Sequence, residues 1–207
     1  MTDSGRTDSG DHYFTASPAS PDERRPLAVT LAGRSVTVEV APGIFSPGGV
    51  DKGTAVLFEE VPDPPPSGRF LDIGCGWGPI ALTLGLLCEH AEVLGVDVNE
   101  RSVDLTNRNA AALGLAHVTA VTPDAVDSST TYDLIWSNPP IRVGKAALHD
   151  LLRLWLPRLA PGGTAYLVVQ RNLGSDSLQR WIESDLGMPC ARLASSKGFR
   201  VLKVDKT

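Results

Sequence analysis

From Arg69 onward, short apolar runs alternate with stretches whose apolar residues recur at helical spacing. Phe70 to Ile73, Glu92 to Val96, Val118 to Val121, Tyr132 to Trp136 and Thr164 to Gln170 read as strands. Gly78 to His90, Glu100 to Leu113, Lys145 to Leu159 and Ser175 to Leu186 read as helices. Strands alternating with helices predict an α/β fold with a doubly wound, mostly parallel sheet. Two last runs, Cys190 to Ala194 and Phe199 to Val204, are joined by the turn Ser195-Ser196-Lys197-Gly198. They form a closing antiparallel hairpin and bring the sheet to seven strands.

Upstream the period changes. Leu27 to Leu31 and Ser35 to Val40 alternate around Ala32-Gly33-Arg34, which predicts a β-hairpin, and a helical stretch runs from about Thr54 to Val61. The chain therefore divides into a disordered tail (1–11, TDSGRTDSGD and its neighbours), an N-terminal hairpin with a lead-in helix (12–66), and the α/β domain (67–207). DPPPSG is the rigid link before the last of these.

Composition narrows the function classes. With 42% hydrophobic and 21% charged residues in 207, this is an ordinary globular chain. The N-terminus has no basic stretch followed by an apolar one, and no long apolar run follows, so we expect a cytoplasmic protein with no membrane partner. Cys75, Cys88 and Cys190 lack CxxC spacing, and the four histidines are scattered, so no metal site is expected. The net charge of −5 is uneven: residues 1–140 carry −11 and residues 141–207 carry +6. A basic final third fits either a nucleic-acid-facing surface or a solvated helix face.

The first strand of the α/β domain runs into LDIGCGWGPI. Gly74, Gly76 and Gly78, with Cys75 between the first two, permit a tight turn and close approach of a ligand. The following helix is expected to present unpaired N–H groups there. Nineteen residues after Gly78, the second strand ends at Asp97, where a carboxylate can accept hydrogen bonds from both hydroxyls of a ribose. The spacing is G-x-G-x-G rather than the G-x-G-x-x-G of dinucleotide sites, and Asp72 lies just ahead of it. A carboxylate there repels a pyrophosphate but suits an ammonium group, as in S-adenosyl-L-methionine.

The fourth strand ends in SNPPI, with Asn138, Pro139 and Pro140 forming a stiff, extended piece of backbone. Such a stretch offers carbonyl oxygens but few N–H groups. As a strand terminator the same residues carry no chemistry.

Together LDIGCGWGPI, Asp97, the Asp124-Ala125 pair and SNPP resemble a class I S-adenosylmethionine-dependent methyltransferase. IFSPGGVDKGTAVLFE, NPPIRVGK and SKGFRVLKV are similar to the small-methyltransferase-domain family, which includes the small-subunit ribosomal RNA guanine-N2 methyltransferases. The resemblance runs from about His12 to Lys203. It implies a Rossmann-like methyltransferase domain with S-adenosyl-L-methionine as cofactor and RNA as partner, ribosomal RNA first. The reaction implied is methylation of an exocyclic amine, guanine N2 foremost. A protein glutamine amide and a non-catalytic binding module are the alternatives.

It further implies that Asp72 and the backbone of Gly74, Gly76 and Gly78 hold the methionine part of the cofactor and that Asp97 binds its ribose. Asp124 accepts the adenine amino group beside Ala125, or is a turn residue. Val98 packs on the adenine ring or lies in the sheet core. Asn138 and its prolines receive the substrate amine. Phe45 stacks on the substrate or packs beneath its loop, and Ile141 offers an apolar wall where many amine methyltransferases carry an aromatic. Arg142 and Lys145 grip phosphates or merely start a helix. Asp51, Gly53 and Thr54 match the family's stretch leading into the domain, Asp51 being equally a helix N-cap.

Overall fold

The computed structural model describes residues 17–140 and 144–207. The tail expected at 1–11 and the residues Ile141 and Arg142 lie outside them. Strands β1 (Arg25–Leu31) and β2 (Arg34–Val40) form the expected hairpin, turning at Ala32 and Gly33, both at positive φ. Helix α1 (Lys52–Glu60) follows. The α/β part comprises β3 (Ser67–Ile73), α2 (Pro79–Leu87), β4 (His90–Val96), α3 (Glu100–Ala112), β5 (Val118–Val121) and β6 (Tyr132–Ser137). It continues with α4 (Lys145–Trp155), β7 (Leu159–Gln170), α5 (Ser175–Asp185), β8 (Cys190–Ser196) and β9 (Phe199–Asp205).

The sheet has seven strands in the order β5-β4-β3-β6-β7-β9-β8. β3 through β7 run parallel, and β9 and β8 are the antiparallel closing hairpin. Two apolar clusters cover it. The first joins Leu31, Val38 and Val40 of the hairpin and Val56 and Leu57 of α1 to Leu82, Leu84 and Leu105 of α2 and α3. The second packs Leu152, Trp155, Leu178 and Ile182 of α4 and α5 against Leu71, Ile135 and Leu167. Strand order reverses between β3 and β6, so the connections leaving their carboxyl ends run to opposite faces of the sheet and leave a crevice.

Several boundaries differ from the sequence expectation, β3 for one starting at Ser67 rather than Phe70, and three of them have a cause in the pairing. α2 stops at Leu87, not at His90, because His90 already pairs with Ser67 as the first residue of β4. α4 ends at Trp155 rather than Leu159: Pro157 sits in a single 3-10 turn, and Leu159 has joined Tyr132 in the sheet. β7 thus starts five residues before Thr164. The Pro161-Gly162-Gly163 stretch, which reads as a turn, is held in the sheet by Gly162 N–H donating to Lys206 O and Lys206 N–H donating to Gly163 O. The register shift between Tyr132 and Leu134 takes up the irregularity.

Candidate functional site

Thirteen residues line a solvent-open cleft of about 330 Å³ at the crevice between β3 and β6. Among them are Asp72, Gly74, Cys75 and Gly76 from the end of β3, Asn138 from the end of β6, and Phe45, Asp51 and Thr54 from the segment before the sheet. Ser137 ties the two strand ends together, its hydroxyl donating to Ile73 O at 2.7 Å.

Asp72 is fully buried. Its Oδ2 accepts from Ala81 N–H at 3.0 Å, while Oδ1 has no partner among the described residues. Burial pushes the carboxyl up to about 8, against the lowering effect of the Ala81 N–H and with the Asp97 charge adding to the rise. A neutral acid with one unsatisfied oxygen at the edge of a cleft is a costly arrangement that a cation would relieve.

Most N–H groups of the glycine turn are already used. Gly74 and Cys75 both donate to Val96 O, Gly76 donates to Asp97 Oδ2, and Gly78 donates to Cys75 O. At the start of α2, Pro79 has no N–H, Ala81 is taken by Asp72, and Leu82 donates to Gly78 O. The turn offers room instead. Its three glycines have φ of 79°, 58° and 97°, and a Cβ built on Gly74 meets nothing within 4 Å. The Cys75 side chain faces away, beneath Gly95 and Thr106, and burial pushes its thiol far up, so only its backbone borders the cleft.

Asp97 follows β4, half-buried, with Oδ2 accepting from Gly76 N–H at 3.0 Å and Oδ1 from Asn99 N–H at 2.9 Å. Burial raises its carboxyl, opposed by those two N–H groups and by Ser102. Each oxygen keeps a further lone pair. Val98 is 73% exposed, which removes the sheet-core reading and leaves a bare apolar side chain beside Asp97. Asp124 and Ala125 lie exposed in a 3-10 turn (Pro123–Ala125) after β5. Hydrogen bonding to Thr122 and to its own backbone holds the Asp124 carboxyl below the usual range. Asp97, Val98, Asp124 and Ala125 are not among the residues lining the cleft itself; they follow the neighbouring strands β4 and β5.

The acceptor end is built across a long sequence separation. Asn138 Nδ2 donates to Asp51 Oδ2 at 2.9 Å and to Thr54 Oγ1 at 3.1 Å, partners 87 and 84 residues away. Because the Asp51 carboxylate can only accept, it assigns the side of the amide facing it as nitrogen, and the Thr54 hydroxyl accepts from the same group. The same Asp51 oxygen caps α1 by accepting from Gly53 N–H at 2.7 Å, so the N-cap reading and the site reading hold together. A Cβ on Gly53 would lie 3.0 Å from Asp51 Oδ2 and from Phe199 and 3.2 Å from Asn138 Nδ2, so a larger residue fits only if these side chains give way. Pro139 is buried and Pro140 exposed.

Phe45 is 56% exposed at the cleft, which excludes packing beneath its loop. That loop is pinned over the glycine turn by Trp77 Nε1 donating to Ser46 O and Asn99 Nδ2 donating to Gly43 O. Lys145, the first residue of α4, is exposed. Trp77, Ile80, Ser46 and Gly49 also line the cleft and were not singled out from sequence. Only the neighbourhood of Trp77 and Ile80 to the glycine turn could have suggested them.

The methyltransferase small domain model matches residues 35–203. The uncharacterized protein YbxB of Bacillus subtilis (strain 168) is 31% identical over 199 residues, covering 95% of this chain and 98% of that protein. Ribosomal RNA small subunit methyltransferase C of Pseudomonas syringae pv. syringae is 34% identical over 182 residues, covering 86% of this chain and 53% of that protein. The solved structure of the 16S rRNA N2 methyltransferase RsmC of T. thermophilus, in complex with AdoMet and guanosine, superposes with a TM-score of 0.77. It is 26% identical and covers 92% of this chain and 52% of that one. The chain thus spans about half the length of the ribosomal RNA methyltransferases it matches.

Proposed function

The chain belongs to the methyltransferase small domain family, and from that premise we propose that it methylates an exocyclic amine of RNA, guanine N2 of small-subunit ribosomal RNA, in the cytoplasm. The observation that carries this reading is the Asn138 amide, whose nitrogen is tied to Asp51 and Thr54. With its nitrogen so occupied, the side-chain oxygen of this cleft-lining residue is the acceptor we assign, together with the Pro139 carbonyl.

The cofactor, S-adenosyl-L-methionine, supplies a methyl group on a sulfonium. The residues present fit it. Asp72 Oδ1, buried and unpartnered among the described residues, would hold the ammonium, the acid's proton passing to solvent so that carboxylate and cation pair. Gly74 and Gly76 leave space for the methionine chain, Asp97 takes the ribose hydroxyls, and exposed Val98 covers one face of the adenine. Asp124 and the Ala125 backbone meet its amino edge.

On the substrate side, Asn138 Oδ1 and Pro139 O each hold one hydrogen of the amine, which fixes the plane of the group and the direction of its lone pair. As the nitrogen becomes cationic both bonds strengthen, so these dipoles lower the barrier without a base. The proton finally shed passes to solvent, because neither an amide oxygen nor a peptide carbonyl retains it. Phe45 is the aromatic face for the base, a role an aromatic at Ile141 would otherwise fill. A base in a duplex cannot enter, so the target is unpaired or flipped out. Support for RNA over a protein amide comes from the relatives named for ribosomal RNA methylation and from the structure holding guanosine.

Mass spectrometry of nucleosides from small-subunit ribosomal RNA, with and without the gene, tests this. Loss of N2-methylguanosine without the gene, restored by the wild-type chain, is expected. An unchanged nucleoside profile with a lost methyl-glutamine in protein would replace the substrate.

A further inference from the structure

We propose that Asp51 and Thr54 are positioning residues for methyl transfer, holding the Asn138 amide with its oxygen toward the amine. This rests on the acceptor reading of Asn138 given above. An asparagine side chain presents an acceptor and a donor that exchange places when χ2 turns by half a circle. Turned the wrong way, Asn138 would aim N–H groups at the N–H groups of the substrate. In this chain the turn is blocked: both Nδ2 hydrogens already have acceptors, Asp51 Oδ2 at 2.9 Å and Thr54 Oγ1 at 3.1 Å. A flipped amide would set its oxygen against a carboxylate.

The carboxylate adds a second effect. A charged acceptor on Nδ2 polarises the amide, and polarisation through a hydrogen-bonded chain makes Oδ1 a stronger acceptor. That places partial negative charge where the nitrogen becomes cationic. The close fit at Gly53 shows how tightly the arrangement is built, since a Cβ there would press on both partners of the bond, at 3.0 Å from Asp51 Oδ2 and 3.2 Å from Asn138 Nδ2.

Two substitutions separate positioning from folding. Serine is as good an N-cap as aspartate, so Asp51→Ser keeps the bond to Gly53 but is too short to reach Asn138. Asp51→Asn keeps an oxygen for both. With ribosomal RNA or small subunits from cells lacking the gene, Asp51→Ser should lower kcat about tenfold, the scale of a loosened reacting geometry. Cofactor affinity should stay within twofold, and Asp51→Asn should recover turnover to within about threefold. Thr54→Val provides the same test if Asp51→Ser melts early.

Asn138→Ala is run alongside. If it loses turnover while Asp51→Ser and Thr54→Val keep theirs, the acceptor reading stands and the positioning role is overturned. If it keeps turnover, the acceptor reading itself fails. A readout independent of any substrate completes the experiment: the Asn138 side-chain amide signals in ¹⁵N-labelled protein, assigned by their loss in Asn138→Ala. One of the two hydrogens should lose its protection from exchange in Asp51→Ser, and unchanged exchange would overturn the tie.

Discussion

Asp72 keeps one carboxyl oxygen bonded and the other sealed without a partner among the described residues, and its acidity records the burial. Since its folded pKa of about 8 lies above the ordinary carboxyl value near 3.8, its contribution to stability is fully present below pH 3.8. That contribution is lost as pH rises toward 8. Asparagine at 72 does not titrate. In denaturant unfolding of cofactor-free protein, Asp72→Asn should gain on the parent by up to about 1.4 kcal/mol per pH unit across that window and no further above it. A gap that stays constant from pH 5 to 8 would mean the acid is ionised throughout. At this scale the sequence was legible where a residue type meets a strand end, as for Asp72, Asp97 and Asn138. It was not legible where a bond closes over 87 residues, as between Asp51 and Asn138. That the N–H groups of Gly74, Cys75 and Gly76 are already taken was not legible for the same reason, since their acceptors, Val96 O and Asp97, come from the next strand.

Every strand and helix was legible in existence and order because period and Gly/Pro punctuation are local signals. Their ends were decided by partners elsewhere: His90 by Ser67, Leu159 by Tyr132. The N-terminal hairpin shows how one side chain docks an element. Asn109 of α3 accepts from Glu39 N–H at 2.6 Å and donates to Glu39 O and to Trp77 O, both at 2.9 Å, joining β2 to α3 and to the glycine turn. Nothing in ERSVDLTNRNA marks this asparagine from its neighbour Asn107, which bonds Ala120 instead. Asn109→Ala should destabilise the protein by about 2–3 kcal/mol, because buried backbone groups are left unpaired. Urea unfolding monitored by tryptophan fluorescence reads the loss, and a change under 0.5 kcal/mol, the scale of ordinary surface substitutions, would show that water replaces the amide.

Over the whole molecule, the +6 of residues 141–207 already counts the acids inside that segment, and folding decides which of its cations are engaged. Arg192 and Arg200 share Asp176, Lys197 reaches across to Glu59, and Lys203 pairs with Asp205. Of these, only the Lys197–Glu59 pair offsets the asymmetry from outside the segment, by one charge, and the others fix which cations are engaged. Lys145, exposed directly downstream of the acceptor motif, and Arg142 beside it in sequence are our candidates for phosphate contacts. Neutralising both should flatten the salt dependence of binding to ribosomal RNA fragments by up to about two counterions, read by filter binding across a salt series. Identical slopes would leave them as a solvated helix start. The strand order has a further consequence. Everything proposed to touch the cofactor apart from the acceptor amide lies on β3, β4, β5 and their loops, everything after Asp127 belongs to the other half of the sheet, and the single strand pair β3–β6 bridges the halves. A chain severed in the exposed stretch Asp127–Ser129 would yield two fragments, one carrying the cofactor residues and one the acceptor asparagine, neither able to methylate alone. Fused to two proteins that meet, they would form a conditional enzyme whose mark on RNA records the encounter.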